Sequence, residues 1–197
     1  MTFRLGLTGS IGMGKSTTAA MFADEGLPVW DADATVRQLY AADGAASRAL
    51  AAIFPGILED GAVSRSRLRQ VIAKDATALD RVQAIVHPLV SQDRATFLKS
   101  CSSDIVLLDI PLLFETGAER DCDGVVVVSA PPDVQRARVM ARGEMTEAEF
   151  EMIVARQMPD AEKRARADYV IETKTLDAAR LAVRAICSQI REKLAHA

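Results

Sequence analysis

The chain has 197 residues, 49% hydrophobic and 26% charged, with a formal net charge of −3; this is ordinary globular usage, with enough apolar content for one substantial core. The slight acidic excess excludes generalised affinity for nucleic acid or anionic membrane, so any phosphate recognition must be local. No apolar run approaches the roughly 18 residues of a membrane helix, residues 1–8 carry no secretory apolar region, and Cys101, Cys122 and Cys187 are too scattered for a disulfide framework or a metal site. A cytoplasmic protein without nucleic-acid or membrane partners is expected, and a monomer is the favoured assembly.

In chain order, Phe3 to Thr8 (FRLGLT) reads as a strand stopping at Gly9, and Lys15 to Glu25 as a helix ending at Gly26. Leu27 to Trp30 resumes as a short strand and runs into Asp31-Ala32-Asp33. The pattern then turns helical for about seventy residues: Ala34 to Ala42, Ala45 to Ile53, Arg65 to Ala73 behind a Ser64 cap, and Thr77 to Lys99. Ile105 to Ile110 and Gly124 to Ser129 are nearly continuous apolar runs, as expected of parallel strands covered on both faces. Helices follow over Asp133 to Ala141 and Glu147 to Arg156, the second opened by a Thr146/Glu149 capping box. Ala167 to Glu172 makes a last strand and Leu176 to Leu194 a closing amphipathic helix.

This alternation predicts an α/β doubly wound parallel sheet of about five strands, with ligands at the carboxyl ends of the strands. The helical stretch is too long for one crossover and reads as an inserted substrate-binding subdomain. We expect a nucleotide-binding core of residues 1–32, 104–135 and 161–197, a helical insertion at 33–103, and a mobile lid at 136–160.

Between the first strand and helix, Gly9-Ser10-Ile11-Gly12-Met13-Gly14-Lys15-Ser16 fits G-x-x-x-x-G-K-[ST], in the context that this phosphate-binding motif requires. Its glycines let successive N–H groups turn inward around phosphate oxygens, and the following helix N-terminus adds partial positive charge. Lys15 is expected to reach the β- and γ-phosphates, Ser16 to place its hydroxyl on Mg²⁺, and Thr17 to contact the α-phosphate; Ser10, Ile11, Gly12, Met13 and Gly14 complete the cradle. ATP with Mg²⁺ is the expected cofactor pair.

Asp31 and Asp33, two residues apart at a strand end, point the same way if the backbone is extended. A carboxylate there can take the proton of an attacking hydroxyl or hold Mg²⁺-bound water, Asp33 being the candidate base, and a helix N-cap is the alternative reading for either aspartate. Asp109 closes IVLLD as a Walker-B-type acid does beside Mg²⁺, the alternative being a strand-end turn residue. The segment after it, with Leu112, Leu113 and Glu115, can line an organic substrate or serve packing. Arg138 and Arg142, one helical turn apart and followed by Gly143, suit a polyphosphate in a closing lid, or are solvated surface charges. His87, before Pro88 in the helical insertion, reads as structural on residue evidence alone.

Together, GLTGSIGMGKST, VWDAD, the His87-Pro88 pair, DIPLLFE from Asp109 and the RxxxR at 138 and 142 resemble the dephospho-coenzyme A kinase family across essentially the whole chain. The resemblance implies a P-loop nucleotide-kinase-like fold, with a helical coenzyme-A-binding domain and a lid. The implied reaction passes the ATP γ-phosphoryl group to the 3′-hydroxyl of dephospho-coenzyme A, the small-molecule partner. It further implies that Asp33 is the base, that Arg138 and Arg142 belong to the lid, and that His87 and the Leu112 to Glu115 stretch lie near the acceptor. One departure stands out. Where the family often shows an Asn and a Gly around adenine, this chain reads Ile171-Glu172-Thr173-Lys174-Thr175, and it contains no asparagine at all.

That absence also removes a regulatory GTPase, which needs N-K-x-D to read guanine. A kinase with another small acceptor is disfavoured only through the resemblance. A non-catalytic ATP-binding module is disfavoured because Lys15, Ser16, Asp33 and Asp109 are all retained.

Overall fold

The computed structural model describes residues 2–196. The chain runs through β1 (Phe3–Thr8), α1 (Lys15–Asp24), β2 (Val29–Asp31), α2 (Ala32–Tyr40), α3 (Ala45–Ile53), β3 (Leu58–Glu59), β4 (Ala62–Val63), α4 (Arg65–Lys74) and α5 (Ala78–Ser100). It continues through β5 (Ile105–Asp109), β6 (Gly124–Ser129), α6 (Pro132–Ala141), α7 (Glu147–Arg156), α8 (Asp160–Arg166), β7 (Tyr169–Glu172) and α9 (Leu176–Ala195).

Five strands form one parallel sheet in the order β2-β5-β1-β6-β7, so the chain winds in both directions from a central β1. The apolar runs IVLLD and GVVVVS are its inner neighbours, and every residue of both is buried. On one face Leu5, Leu7, Leu107, Val126 and Val128 pack beneath Met21 and Phe22 of α1 and Val183, Ile186 and Ile190 of α9. On the other, the chain after β5 lies so close that a Cβ at Gly6 would come within 2.7 Å of Leu113 Cδ1 and 2.8 Å of Cys122 Sγ. Gly6 is therefore needed for close approach rather than for a turn.

The chain divides into two compact units, one made of residues up to Trp30 together with those from Cys101 onward, the other Asp31–Ser100. The second unit has its own core of Leu50, Phe54, Ile57, Val63, Val82 and Val86. It is not helical throughout: β3 and β4 form an antiparallel hairpin. Asp60 (φ 49°) and Gly61 (φ 80°) supply the two positive φ angles of a tight two-residue turn. Ser64 stands at the N-cap of α4 but its side chain does not cap; the hydroxyl pairs with Ser66 Oγ at 2.9 Å. The Thr146/Glu149 capping box of α7 is present in full.

Candidate active site

β1 delivers the chain to the glycine loop at the carboxyl edge of the sheet. Gly12 (φ 77°) and Gly14 (φ 91°) adopt left-handed backbone, and a Cβ at Gly12 would lie 2.9 Å from Gln135 O. α1 then begins with no side-chain cap and no acidic residue in its first turn, so its uncompensated N–H groups and positive dipole end stay open for an anion.

The loop is held from several directions. Gln135 Nε2 donates to Ile11 O at 2.7 Å, and Ile11 N–H donates to Gln157 Oε1 at 3.1 Å. Thr173 Oγ1 donates to Met13 O at 2.8 Å. Met13 is buried, and its sulfur accepts from the Ala130 N–H at 3.1 Å. Arg138 donates to Thr173 Oγ1 at 2.9 Å and to the Thr173 carbonyl. The loop is thus fixed by contacts from outside the motif, at Ile11 and at Met13.

Lys15 Nζ lies 2.6 Å from Asp109 Oδ1, with the two side chains 16% and 6% exposed. A cation and a carboxylate thus meet at the mouth of the loop, delivered by the start of α1 and the end of β5. Ser16 and Thr17 are exposed in the first turn of α1, while Ser10 is buried. A cavity of about 340 Å³ opens beside them, lined by Gly12, Gly14, Thr17, Arg138, Thr173 and Leu176 among others; its size and mixed lining suit an organic ligand. A larger hollow of about 520 Å³ along Gln189, Glu192, Lys193 and His196 of α9 includes no residue of the motif. Arg142 is exposed at the end of α6, followed by Gly143 at φ 67°.

After β5, Leu112 is 42% exposed, whereas Leu113 is fully buried. Glu115 Oε1 accepts from Met158 N–H at 2.9 Å and lies 2.8 Å from Lys163 Nζ. Lys163 is completely buried, so the pair holds its ammonium out of water against the carboxylate. Burial pushes Glu115 upward, but Lys163 and the Met158 N–H outweigh it and hold the carboxyl below its ordinary range. Glu115→Gln leaves a buried ammonium without its counter-charge and is expected to cost about 3 kcal/mol. Because the folded value is depressed, that gap is fully present above the ordinary carboxylate range and closes as pH falls through the lowered value. Urea unfolding of wild type and variant across an acid pH series checks this.

In the second unit, Asp31 and Asp33 are not alternate residues of one extended segment. Asp31 ends β2 and caps α2, its Oδ1 accepting the Ala34 N–H at 2.9 Å. Asp33 already lies in the first helical turn, exposed. The helix starts two residues before the predicted Ala34, because an Asp at the strand end supplies the cap there. The cap reading therefore belongs to Asp31, and the Asp33 carboxylate is not needed for it. His87 is exposed on α5, one residue before Pro88 inside the same helix.

Gln135, Gln157, Thr173 and Lys163 were not among the predicted site residues. Thr173 had a usable signal, since it directly follows a strand at the ligand-bearing edge. The others sit within or just after helices, where sequence shows no sign of a distant partner.

A family model described as dephospho-CoA kinase matches residues 3–177. The dephospho-CoA kinase of Cereibacter sphaeroides is 63% identical over 190 residues, covering 96% of each chain. A crystal structure from Thermus thermophilus superposes with a TM-score of 0.83 at 35% identity, over 95% of this chain and 97% of that one. The dephospho-CoA kinase of Campylobacter jejuni, 20% identical, shares the fold with a TM-score of 0.69 over 98% and 99% of the two chains. With a glycine loop between β1 and α1, these likenesses place the chain in the dephospho-CoA kinase family of P-loop phosphotransferases.

Proposed function

We propose that the chain transfers the γ-phosphoryl group of Mg²⁺-bound ATP to the 3′-hydroxyl of dephospho-coenzyme A, giving coenzyme A and ADP. The observation that carries this is the Lys15–Asp109 pair at the mouth of an open glycine loop, in a chain of this family. Lys15 exchanges its carboxylate contact for the β- and γ-phosphates when nucleotide binds. Asp33 takes the proton of the ribose hydroxyl as its oxygen attacks the γ-phosphorus. The bond to the β–γ bridging oxygen breaks, and Arg138 and Arg142, which line the cavity beside Thr173, offset charge on the transferring group once the lid that carries them closes over the phosphates.

The residues present fit a magnesium ion. Such sites take one or two protein ligands, the remainder being phosphate oxygens and water. Ser16 and Asp109 supply a hydroxyl and a carboxylate from the motif positions, and no larger acidic or histidine cluster occurs among the described residues. Bound there, the ion supplies neutralising charge to the β- and γ-oxygens.

Residues 33–103, with His87 and the exposed Leu112, bind the coenzyme A portion of the acceptor in this reading, and 136–160 act as the lid. The cavity beside Thr173 takes adenine, with Thr173, Thr175 and backbone groups in place of an asparagine. The enzyme works as a cytoplasmic monomer; no helix among the described residues is long and apolar enough to cross a membrane.

The test is ADP release by purified protein with Mg²⁺-ATP, comparing dephospho-coenzyme A with adenosine, AMP, CMP and pantetheine. Stimulation by dephospho-coenzyme A alone is expected. Stimulation by another acceptor overturns the substrate, and by none overturns the activity.

A further inference from the structure

The phosphate loop is gripped at Ile11 by two glutamines from outside the motif. Gln135 donates to the Ile11 carbonyl, and Gln157 accepts from the Ile11 N–H. Gln157 sits at the C-terminal cap of α7, and the next residue is tied by its backbone: Met158 N–H bonds to Glu115, which the buried Lys163 holds in turn. Gln157, at the C-terminal edge of the proposed lid, is thus tied on both sides in this arrangement, by the loop and through Met158 to an internal ion pair, although Gln157 itself remains partly exposed. With Oε1 committed to Ile11, its Nε2 makes no hydrogen bond among the described residues.

The direction in which a nucleotide lies across the loop decides what that amide meets. The organic cavity is lined by Gly12, Gly14 and Thr17 on the side of Thr173, beyond β7. Lys15 and Asp109 lie on the other side of β1, at the end of β5, and Glu115, which anchors Met158, follows that strand. A base seated in the cavity therefore sends its phosphates toward Lys15, and Gln157, which holds Ile11 of the same loop but does not line that cavity, faces the phosphates rather than the base.

Building on the nucleotide-site reading above, we propose that Gln157 contacts the terminal phosphate of bound ATP. Its Oε1 fixes the loop through Ile11, and its Nε2 donates to a γ-oxygen. It is a specificity device that recognises the phosphoryl group to be transferred and has nothing to hold once ADP is left.

The experiment compares equilibrium binding of ATP and ADP, and steady-state turnover, for wild type, Gln157→Ala, Gln157→Glu and, as a control on the site itself, Lys15→Ala. Gln157→Ala removes a hydrogen bond to a charged oxygen and is expected to weaken ATP binding about 10-fold while moving ADP binding less than about 2-fold. Gln157→Glu keeps an oxygen for the Ile11 N–H but sets a negative charge against the γ-phosphate. It is expected to weaken ATP binding about 30-fold and ADP binding no more than about 3-fold. A purely structural glutamine moves both nucleotides equally or neither, and either result overturns the proposal. Melting temperatures without nucleotide show that each variant is folded; should Gln157→Glu not fold, the ATP-to-ADP ratio of Gln157→Ala decides, an unchanged ratio counting against the contact. If Lys15→Ala keeps wild-type affinity and turnover, the nucleotide-site reading fails; if it is inactive while Gln157→Glu shows no ATP-specific loss, only the Gln157 contact fails.

Discussion

Lys15→Ala is expected to lower kcat by about 10³-fold or more, with the fold intact by circular dichroism. The ammonium stands where charge builds up on the transferring phosphoryl group, and a preorganised donor at such a place is worth that much in a site shielded from water. Its 2.6 Å contact with Asp109 holds it at the loop mouth. Lys15→Arg is expected to rescue little, because a planar guanidinium cannot replace a compact ammonium between two phosphates. Single-turnover phosphoryl transfer at saturating ATP separates this from weakened binding. A variant retaining more than a tenth of the wild-type rate would remove Lys15 from the chemistry.

Asp33→Asn is expected to reduce kcat by about 10³-fold while changing ATP affinity less than about 2-fold, the pattern of a lost general base. The structure makes this a clean experiment. The helix cap belongs to Asp31, so Asp33→Asn leaves the Asp31–Ala34 bond untouched. At most it forfeits the modest dipole benefit of a carboxylate in the first turn, about 0.5 kcal/mol. Asp31→Ala should do the reverse, costing about 1 kcal/mol of stability through the cap. If Asp33→Asn turns over normally with dephospho-coenzyme A, the base lies elsewhere.

The strands were legible where composition left one option. IVLLD and GVVVVS are too apolar for any position but the middle of a covered sheet, and that is where they lie. The hairpin at 58–63 escaped because each strand is only two residues long, too short for alternation to register between helical flanks. Its Asp60-Gly61 turn was nevertheless a readable signal. In the site, the motif residues Gly9 to Ser16 could be read because their chemistry is local and contiguous. The side chains that hold the loop could not: Gln157 is 146 residues from its partner Ile11, and Thr173 is 160 from Met13. No periodicity encodes such pairs. The two-residue shift at Asp31 is of another kind, a boundary at which strand and helix compete for the same short segment.

The central place of β1 has a consequence for how the chain comes to be folded. Phe3 pairs with Ile105 and Leu5 with Gly124, so the middle strand is made roughly one hundred residues ahead of either neighbour, about 5–20 s earlier at ordinary rates of synthesis. For that interval it stands as an unpaired strand, an invitation to wrong partners. Its sequence is suited to the wait. Arg4 and Gly6 interrupt FRLGLT, whereas the late-arriving IVLLD and GVVVVS carry no such breaks within their apolar stretches. Meanwhile residues 31–100, whose core is built from contacts within that stretch, can compact first and shorten the loop that β1 and β5 must close.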